Sequence, residues 1–518
     1  MALVGPTAAA PPPPAITART VQLTGVDSAI PVGLPLGGGT ALIMGGSGDP
    51  IPSQRFVDAY DSIYLQPNGF TGSAQPLATP EGLYPFVGVK TLPFDTSVAQ
   101  GQQALYNAIT QQISGGHVDA ANPVVVAGLS QSSTVASQTM TELAAHGVPS
   151  EDVRFVLTGD PSNPDGGLLE RFDVPIDGQS PTVPALGITF SGATPSDLYP
   201  ADIYTAEYDG FADWPRYPSN LLADLNALLG IAFQHSSYPV LTPEQVTPMQ
   251  DGGTAMLLPG SAALTGEGLT NYVMIPDPYL PLLEPLLLIP GIGKPLYDLL
   301  EPDARILVNT GYGSITQGWD PGPANVPTTF GVSPDIDQGQ LSEALSSAWQ
   351  HGVADFTADL QHPASTPPLL DNPVVAPLVQ VAYTQGLVDT PHPSILELLQ
   401  GELAAESGFP ISHATLLSPP IDIINDLTAT LSADYSALLP IADTANTVLT
   451  TVPAVLAGFV SEQLQAGAGL GETLGEALAA GAGLLPFLAV LGLSAPGADV
   501  AGTLTNLAQL FNIGHVQP

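Results

Sequence analysis

The sequence predicts an α/β fold, with a doubly wound, mainly parallel sheet and a mostly helical carboxy-terminal region. Short apolar runs alternate with helical patterns from about residue 20 to 320, an order that is typical of parallel strands joined by crossover helices. Several of the runs are continuous apolar blocks without polar alternation, as expected of strands covered on both faces. Beyond residue 331, apolar residues recur at intervals of three or four, which indicates helices.

The predicted strands are short apolar runs bounded by turn residues. They are Ala41–Gly45, Val87–Leu92, Val124–Ala127, Arg154–Leu157, Ile203–Tyr208, Tyr272–Ile275 and Arg305–Val308. Between them, apolar residues at helical spacing predict helices over Ser97–Ile113 and Ser219–Phe233. In the last part of the chain the same spacing covers Leu341–Leu360 and Ile424–Leu438.

We expect three parts along the chain. Residues 1–20, which include the run Pro11–Pro14, are predicted to be disordered. Residues 21–330 are predicted to form the α/β domain, and residues 331–518 a helical region that packs on it. The boundary follows a change of composition, because the stretch from 315 to 340 is rich in Gly, Pro, Asp and Thr.

The chain carries few charges, and these are strongly unbalanced. Eight Lys and Arg stand against 48 Asp and Glu in 518 residues, which gives a formal net charge of −40. Nucleic-acid binding through phosphate neutralisation is therefore excluded, because a chain with only Lys90 and Lys294 as lysines cannot build a basic groove. The absence of cysteine excludes thiol catalysis, disulfides and cysteine-ligated metals.

The strongest local signal is the segment from Asn122 to Ser137. An apolar strand runs directly into Gly128-Leu-Ser130-Gln-Ser132 and then into a helix of small residues. A serine on such a tight turn projects its hydroxyl above the edge of the sheet, and small residues two positions before and after it allow the turn. We therefore predict that Ser130 is a nucleophile, although Ser132 stands where the common pattern has glycine. The alternative is an ordinary turn between strand and helix, capped by a serine.

An activated serine needs a base and an acid that orients the base. In doubly wound hydrolases these residues follow one another in the order Ser, Asp or Glu, then His. The strand that ends at Tyr208 is followed by Asp209 and Asp213. Asp213 is favoured because it lies farther along the loop, and Asp209 is the alternative. His235 follows this loop by one helix and is the predicted base, because the two earlier histidines precede the acid.

A strand followed by a glycine-rich turn, Ala41–Pro50, is the predicted source of an oxyanion hole. Each N–H donor that faces the developing negative charge lowers the barrier by about 3 kcal/mol. We predict the amides of Ser47 and Gln131 as the donors, assisted by the Ser47 hydroxyl. The rival interpretation is a phosphate-binding loop, which lacks the required Lys and the GxGxxG spacing. No cofactor is therefore expected, and no metal, because the histidines beyond residue 330 lack ligand spacing.

Five segments together resemble the PE-PPE domain family of mycobacteria, which is related to cutinases and to the α/β-hydrolase fold. These segments are Gly45–Pro50, Gly128–Ser132, Tyr208–Pro215, His235–Tyr238 and Leu280–Pro285. The resemblance covers about residues 30–320 and implies an α/β-hydrolase-like domain. It also implies a triad of Ser130, His235 and either Asp213 or Asp209.

The residues and the resemblance together support three hypotheses for function. The first is a serine acyltransferase that moves a long acyl chain, through an acyl-serine intermediate, onto a sugar hydroxyl such as that of trehalose. The second is a cutinase-like lipase or esterase, and the third is a non-catalytic protein that binds lipid or a partner. The implied partners are an acyl lipid donor and a sugar or glycolipid acceptor. The implied location is the cell envelope, with peripheral lipid association, or the exterior, although no leader is visible in Met1–Arg19.

Two apolar stretches are expected to contact lipid. Pro276–Leu300 is rich in leucine but broken by prolines, which predicts an apolar surface loop or lid. Together with the carboxy-terminal helices it is expected to line a channel for acyl chains. Ala477–Ala498 carries no charge, but its glycines and prolines and its lack of basic flanks favour a buried or lipid-facing helix over a membrane span.

Overall fold

The computed structural model describes most of the chain from residue 35 onward. The described residues are 35–88, 90–176, 178–362, 367–394, 397, 438–465, 467, 469–471, 473–485 and 488. The predicted disordered segment 1–20 lies outside these residues, as does nearly all of the predicted helix Ile424–Leu438.

A seven-stranded sheet forms the centre of the fold. The described strands, which include two outside this sheet, are β1 Thr40–Ile43, β2 Ser73–Pro76, β3 Val124–Leu129, β4 Val153–Thr158, β5 Thr182–Val183, β6 Ile188–Thr189, β7 Ala201–Ala206, β8 Met256–Leu257 and β9 Thr270–Ile275. The sheet has the order β2-β1-β3-β4-β7-β9-β8, while β5 and β6 form a separate hairpin. All neighbours in the sheet are parallel except β8 and β9. The predicted α/β fold with a mainly parallel sheet is confirmed.

Helices connect the strands and follow them. They are α1 Gln54–Tyr60, α2 Phe94–Ser114, α3 Gln131–Ala145, α4 Leu168–Arg171, α5 Leu221–Phe233, α6 Pro243–Val246, α7 Ala262–Thr265, α8 Glu284–Leu287, α9 Gly293–Asn309, α10 Gln338–Gln361 and α11 Val375–Gln385. Farther along the chain, the helices Leu438–Asn446, Val452–Gln465 and Thr473–Leu485 are described. The part of the chain beyond residue 331 that the structure describes is thus mainly helical.

The sheet is covered on both faces, which explains its unbroken apolar strands. Successive side chains of a strand point to opposite faces. Leu42 and Val126 accordingly belong to a core cluster that includes residues of α2 and α3. Ile43 and Val125 belong to a second cluster that includes residues of α1.

The strand order reverses at β1, because β2 and β3 lie on opposite sides of it. The chain moves outward from β1 to β2 and then returns to form β3 on the other side of β1. In open α/β sheets, ligands bind beyond the carboxyl ends of the strands at such a switch point. The glycine-rich turn after β1 and the turn after β3 therefore lie side by side where a site is expected.

Two predicted strands are wrong. No described residue of Val87–Leu92 is in a strand, because the chain turns there, with the Gly88 N–H donating to the Pro85 carbonyl. Arg305–Val308 lies within helix α9, where Arg305 pairs with Glu301 one turn earlier. The short edge strands β2 and β8 were not predicted, because Ser73–Pro76 has little apolar character and β8 has only two residues.

Helices beyond residue 330 contact the α/β domain directly. At Gly352, α10 lies so close to α9 that a Cβ would stand 2.3 Å from the Leu299 carbonyl oxygen. In addition, Arg55 at the start of α1 donates to the carbonyls of Tyr383 and Val388 at 3.0 and 2.9 Å. The boundary at residue 330 stays a prediction.

Among the described helices, one stretch is long and apolar enough to cross a membrane by length and composition alone. It is Leu439–Gln465, and not the predicted candidate Ala477–Ala498. The described part of that candidate lies in the helix Thr473–Leu485, and it buries Ala479, Ala480 and Leu484.

Candidate active site

Ser130 lies on a strained turn between β3 and α3. Its backbone has φ 59° and ψ −119°, a conformation that a residue with a side chain adopts only where the surroundings impose it. Gly128 is required beneath it, because a Cβ there would lie 2.8 Å from the carbonyl oxygen of Ser132. The Ser132 hydroxyl bonds to the N–H and the carbonyl of Leu129 at 2.8 and 3.1 Å. Ser132 therefore fits where the common motif has glycine, because its hydroxyl is satisfied within the turn.

Ser130, His235 and Asp209 form a continuous hydrogen-bonded chain. Nε2 of His235 lies 2.7 Å from Oγ of Ser130, and Nδ1 lies 2.8 Å from both carboxylate oxygens of Asp209. The side chain of Asp209 is fully buried, and that of His235 is 11% exposed. Because an ionised carboxylate only accepts hydrogen bonds, Nδ1 carries the proton and Nε2 accepts from the Ser130 hydroxyl.

The preference for Asp213 as the partner of His235 is wrong, and the alternative Asp209 occupies that position. Oδ2 of Asp213 accepts from the N–H of Tyr208 at 3.0 Å. Tyr208 has a φ of 67°, so the chain turns sharply at the end of β7. This turn directs Asp209 toward His235, while Asp213 lies behind the turn and stabilises it. Burial raises the pKa of Asp213 well above its ordinary value, which disfavours the charge that an orienting carboxylate needs.

Two glycines allow the turn that carries Asp209 to pack against helix α5, which leads to His235. A Cβ at Gly230 would lie 1.8 Å from the Tyr208 carbonyl oxygen, and a Cβ at Gly210 would lie 2.2 Å from the Ala227 carbonyl oxygen. No larger residue permits this backbone contact. At its start, α5 is capped by Asn220, whose side chain accepts from two N–H groups of the first turn.

Tyr238 and Phe211 complete the surroundings of Asp209, and neither was assigned a role from the sequence. The Tyr238 hydroxyl donates to Oδ2 of Asp209 at 2.7 Å, and the Phe211 N–H donates to Oδ1 at 3.0 Å. The Phe211 ring also meets the His235 ring edge to face, with centroids 4.6 Å apart. In the sequence, both residues stand within three positions of a predicted site residue and within segments that carry the family resemblance.

The predicted oxyanion loop lies against Ser130. A Cβ at Gly46 would stand 3.5 Å from Cβ of Ser130. The Gln131 side chain donates to the Ser47 hydroxyl at 3.0 Å and to the Gly82 carbonyl at 2.7 Å, and it accepts from Ser97 at 2.6 Å. Gln131 is also the first residue of α3, so its N–H has no partner within the helix.

A narrow apolar cavity adjoins this site. Ser47, Ser130 and Gln131 line it together with seven apolar residues, which are Leu83, Phe94, Pro161, Leu168, Leu169, Ile188 and Phe211. The polar residues of the lining are thus Ser130 and the two predicted oxyanion donors, Ser47 and Gln131. A ligand with one polar, reactive end and an apolar body fits this distribution.

The leucine-rich stretch Pro276–Leu300 does not line this cavity. It contains helix α8 and the start of α9 instead of forming a loop throughout. Its exposed apolar residues include Leu288, Ile289 and Ile292. Within the parts of the chain that the structure describes, no group of three or more His, Asp or Glu side chains is placed to hold a metal ion.

Comparison with known proteins finds one matching family model. Residues 71–313 match the family model described as PE-PPE domain. The predicted resemblance is therefore confirmed. Among solved structures, a novel cutinase-like protein from Cryptococcus sp. is 17% identical, with a TM-score of 0.22, over 35% of this chain and 82% of that chain.

Curated relatives of the chain come from Mycobacterium tuberculosis. The PPE family protein PPE28 is 38% identical over 83% of this chain and 60% of its own length. Esterase PE16 is 42% identical over 58% of this chain and 52% of its own length. Diacyltrehalose acyltransferase Chp2 is 27% identical over 56% of this chain and 76% of its own length. The chain spans 52 to 60% of the first three curated relatives that it matches.

Proposed function

We propose that this PE-PPE domain is a serine enzyme that acts on esters of apolar acyl chains through an acyl-Ser130 intermediate. The observation that carries the proposal is the hydrogen-bonded chain from Ser130 through His235 to the buried carboxylate of Asp209. A buried carboxylate behind the imidazole fixes its tautomer and stabilises the imidazolium that forms during catalysis.

The first half-reaction breaks the ester bond. His235 Nε2 takes the proton of the Ser130 hydroxyl while Oγ bonds to the carbonyl carbon of the substrate. The carbonyl oxygen becomes an oxyanion, which the Gln131 N–H, the Ser47 N–H and the Ser47 hydroxyl stabilise. The Ser47 hydroxyl already accepts a bond from Gln131, so its own proton is free to donate to the oxyanion. The carbon–oxygen bond then breaks, and the alcohol leaves with the proton from His235.

The second half-reaction releases the acyl group. An acceptor hydroxyl gives its proton to His235 while its oxygen attacks the acyl-serine carbonyl. The new tetrahedral oxyanion collapses, and Ser130 Oγ regains the proton from His235. Water as the acceptor gives a free fatty acid, and an alcohol gives a new ester.

Hydrolysis is the function that the similarities favour first, because the relative with 42% identity is named an esterase. Transfer to a sugar hydroxyl is the second candidate. It is favoured by the 27% identity to a diacyltrehalose acyltransferase, which extends over 76% of that relative. In either case the substrate donor is an acyl lipid. A sugar or glycolipid acceptor and a location at the cell envelope belong to the transfer hypothesis.

Product analysis with purified protein tests the proposal and separates its two forms. p-Nitrophenyl esters serve as donors, with and without trehalose as an acceptor, and Ser130→Ala serves as the control. Release of p-nitrophenol by the native chain alone supports the proposal, and acylated trehalose would favour transfer over hydrolysis. Equal release by native protein and Ser130→Ala would contradict it and favour a non-catalytic binding protein.

A further inference from the structure

A second apolar cavity lies beneath the carboxy-terminal helices. Phe172 and Phe190 line it on the side of the α/β domain. Val452, Val455 and Leu456 line it from the helix Val452–Gln465, with Ala480 and Leu484 from the helix Thr473–Leu485. Among the described residues, its lining includes Thr182 and Thr451 but no titratable side chain. A ligand held there is therefore recognised mainly by apolar contact.

The two cavities are neighbours along two elements of the fold. Leu169 lines the cavity at Ser130 and Phe172 lines the second one, three positions later, which is about one helical turn or 5 Å. Ile188 and Phe190 have the same relationship, because residues two apart in an extended segment share a face. The rings of Phe172 and Phe190, with centroids 5.3 Å apart, contact each other in the lining of the second cavity.

Leu169 and Ile188 of the first lining and Phe172 and Phe190 of the second belong to one core cluster, as do Val452, Ala480 and Leu484. An acyl chain that fills the cavity at Ser130 therefore meets apolar side chains at its far end. Rotation of these side chains would extend its path toward the carboxy-terminal helices.

We propose that the second cavity is the subsite for the distal end of a long acyl chain, and that the helices Val452–Gln465 and Thr473–Leu485 determine acyl length. This inference rests on the proposed function, because it assumes that the proximal end of the chain is esterified at Ser130. Short acyl chains occupy only the first cavity. The part of a longer acyl chain that extends beyond the first cavity contacts residues more than 300 positions after Ser130.

Filling the second cavity tests the proposal. Val455→Trp and Ala480→Phe fill it from two different helices. With p-nitrophenyl palmitate, kcat/KM falls about tenfold or more, because each methylene group excluded from an apolar site weakens binding severalfold. With p-nitrophenyl butyrate it stays unchanged. Leu449→Trp is the matched control, because Leu449 precedes the same helix but is 75% exposed.

Two results would overturn the inference. One is unchanged turnover of the palmitate ester by both folded variants, and the other is equal loss of both esters. If the native chain turned over neither ester, the proposed function would fail, and palmitate binding to Ser130→Ala by equilibrium dialysis would test the subsite separately. Binding that Val455→Trp weakens about tenfold supports the subsite. Absent or undiminished binding overturns it.

Discussion

The Tyr238 hydroxyl donates a hydrogen bond to Oδ2 of Asp209 at 2.7 Å and accepts one from the N–H of Ala206 at 2.9 Å. The carboxylate that contacts His235 is thus anchored, through a tyrosine, to the last residue of strand β7. Burial, followed by the negative charge of Asp209, raises the pKa of Tyr238 well above its ordinary value. The hydroxyl therefore stays protonated and can always donate.

Removal of this hydroxyl is expected to lower activity without abolishing it. Tyr238→Phe keeps the ring but takes one donor from Asp209 and leaves the Ala206 N–H without its acceptor. One hydrogen bond to a charged group corresponds to about 1.5–3 kcal/mol, so kcat should fall about tenfold to a hundredfold. Steady-state kinetics with a butyrate ester measures this. Full activity of Tyr238→Phe would mean that Asp209 needs no anchor.

The two aspartates should differ sharply on substitution. Asp209→Asn keeps the shape of the side chain but removes the negative charge beside Nδ1, and kcat should fall about 10⁴-fold. Asp213→Asn should retain most of the activity, because an amide oxygen can still accept from the Tyr208 N–H. The kcat values of both variants are compared under identical conditions. A larger loss for Asp213→Asn would assign the orienting role to Asp213.

Gly159 is expected to admit no side chain. A Cβ there would lie 2.7 Å from the Tyr238 ring and 3.1 Å from the His235 ring, at a φ of 54°. Gly159→Ala should therefore displace both rings and lower kcat about a hundredfold, since small displacements of catalytic groups have effects of that size. Thermal denaturation is measured in parallel with kinetics.

Gly147→Ala is the matched control for Gly159→Ala. Gly147 has a similar positive φ of 73°, but a Cβ there meets nothing within 4 Å. It should lose about 1–2 kcal/mol of stability from backbone strain alone and keep its activity. Equal activity of the two variants would contradict the close packing described for the site.

The Ser47 hydroxyl is expected to stabilise the transition state. Ser47→Ala removes one oxyanion donor, which should lower kcat about 10²- to 10³-fold with little change in KM. Ser62→Ala, on an exposed hydroxyl that donates to the Ala59 carbonyl, is the control. A rise in KM with unchanged kcat would indicate that Ser47 binds the substrate in its ground state only.

The stability of the chain should fall as pH rises above about 4. Burial raises the pKa of Asp224 to about 8, and its side chain is 1% exposed. Between the ordinary carboxyl pKa of about 4 and 8, the folded chain holds a proton that the unfolded chain releases. The free energy of unfolding therefore decreases by about 1.4 kcal/mol per pH unit for this group.

Urea unfolding of Asp224→Asn between pH 5 and 8 tests this pH dependence. The slope of the free energy of unfolding against pH should be less steep than in the native chain. Asp58→Asn removes a carboxyl group at an exposed position of α1 and serves as the control. An unchanged slope in Asp224→Asn would show that the buried carboxyl does not retain its proton in the folded chain.

The central strands could be predicted because burial on both faces leaves a mark in the sequence, an unbroken apolar block. Strand β2 leaves no such mark, because Ser73–Pro76 pairs on one side only and is largely exposed. The block Arg305–Val308 shows the reverse case, because it has the apolar character of a strand but lies in a helix. It is short, and its membership of helix α9 depends on residues on its amino-terminal side.

The proximity of Ser130 and His235 could be predicted because a sharp turn and the order of residues along the chain are properties of sequence. The choice between Asp209 and Asp213 could not be made in this way. It depends on the positive φ of Tyr208 and on the contact of Gly230 with the Tyr208 carbonyl. Both are consequences of tertiary packing, which overrides the local pattern.

Covalent labelling tests most directly whether Ser130 is an activated nucleophile. The native chain is treated with a fluorophosphonate probe, and the labelled peptide is identified by mass spectrometry beside Ser130→Ala and His235→Ala. We expect one adduct, on Ser130, that is absent from Ser130→Ala and forms far more slowly in His235→Ala. An adduct on another residue, or equal labelling of all three folded proteins, would contradict the account.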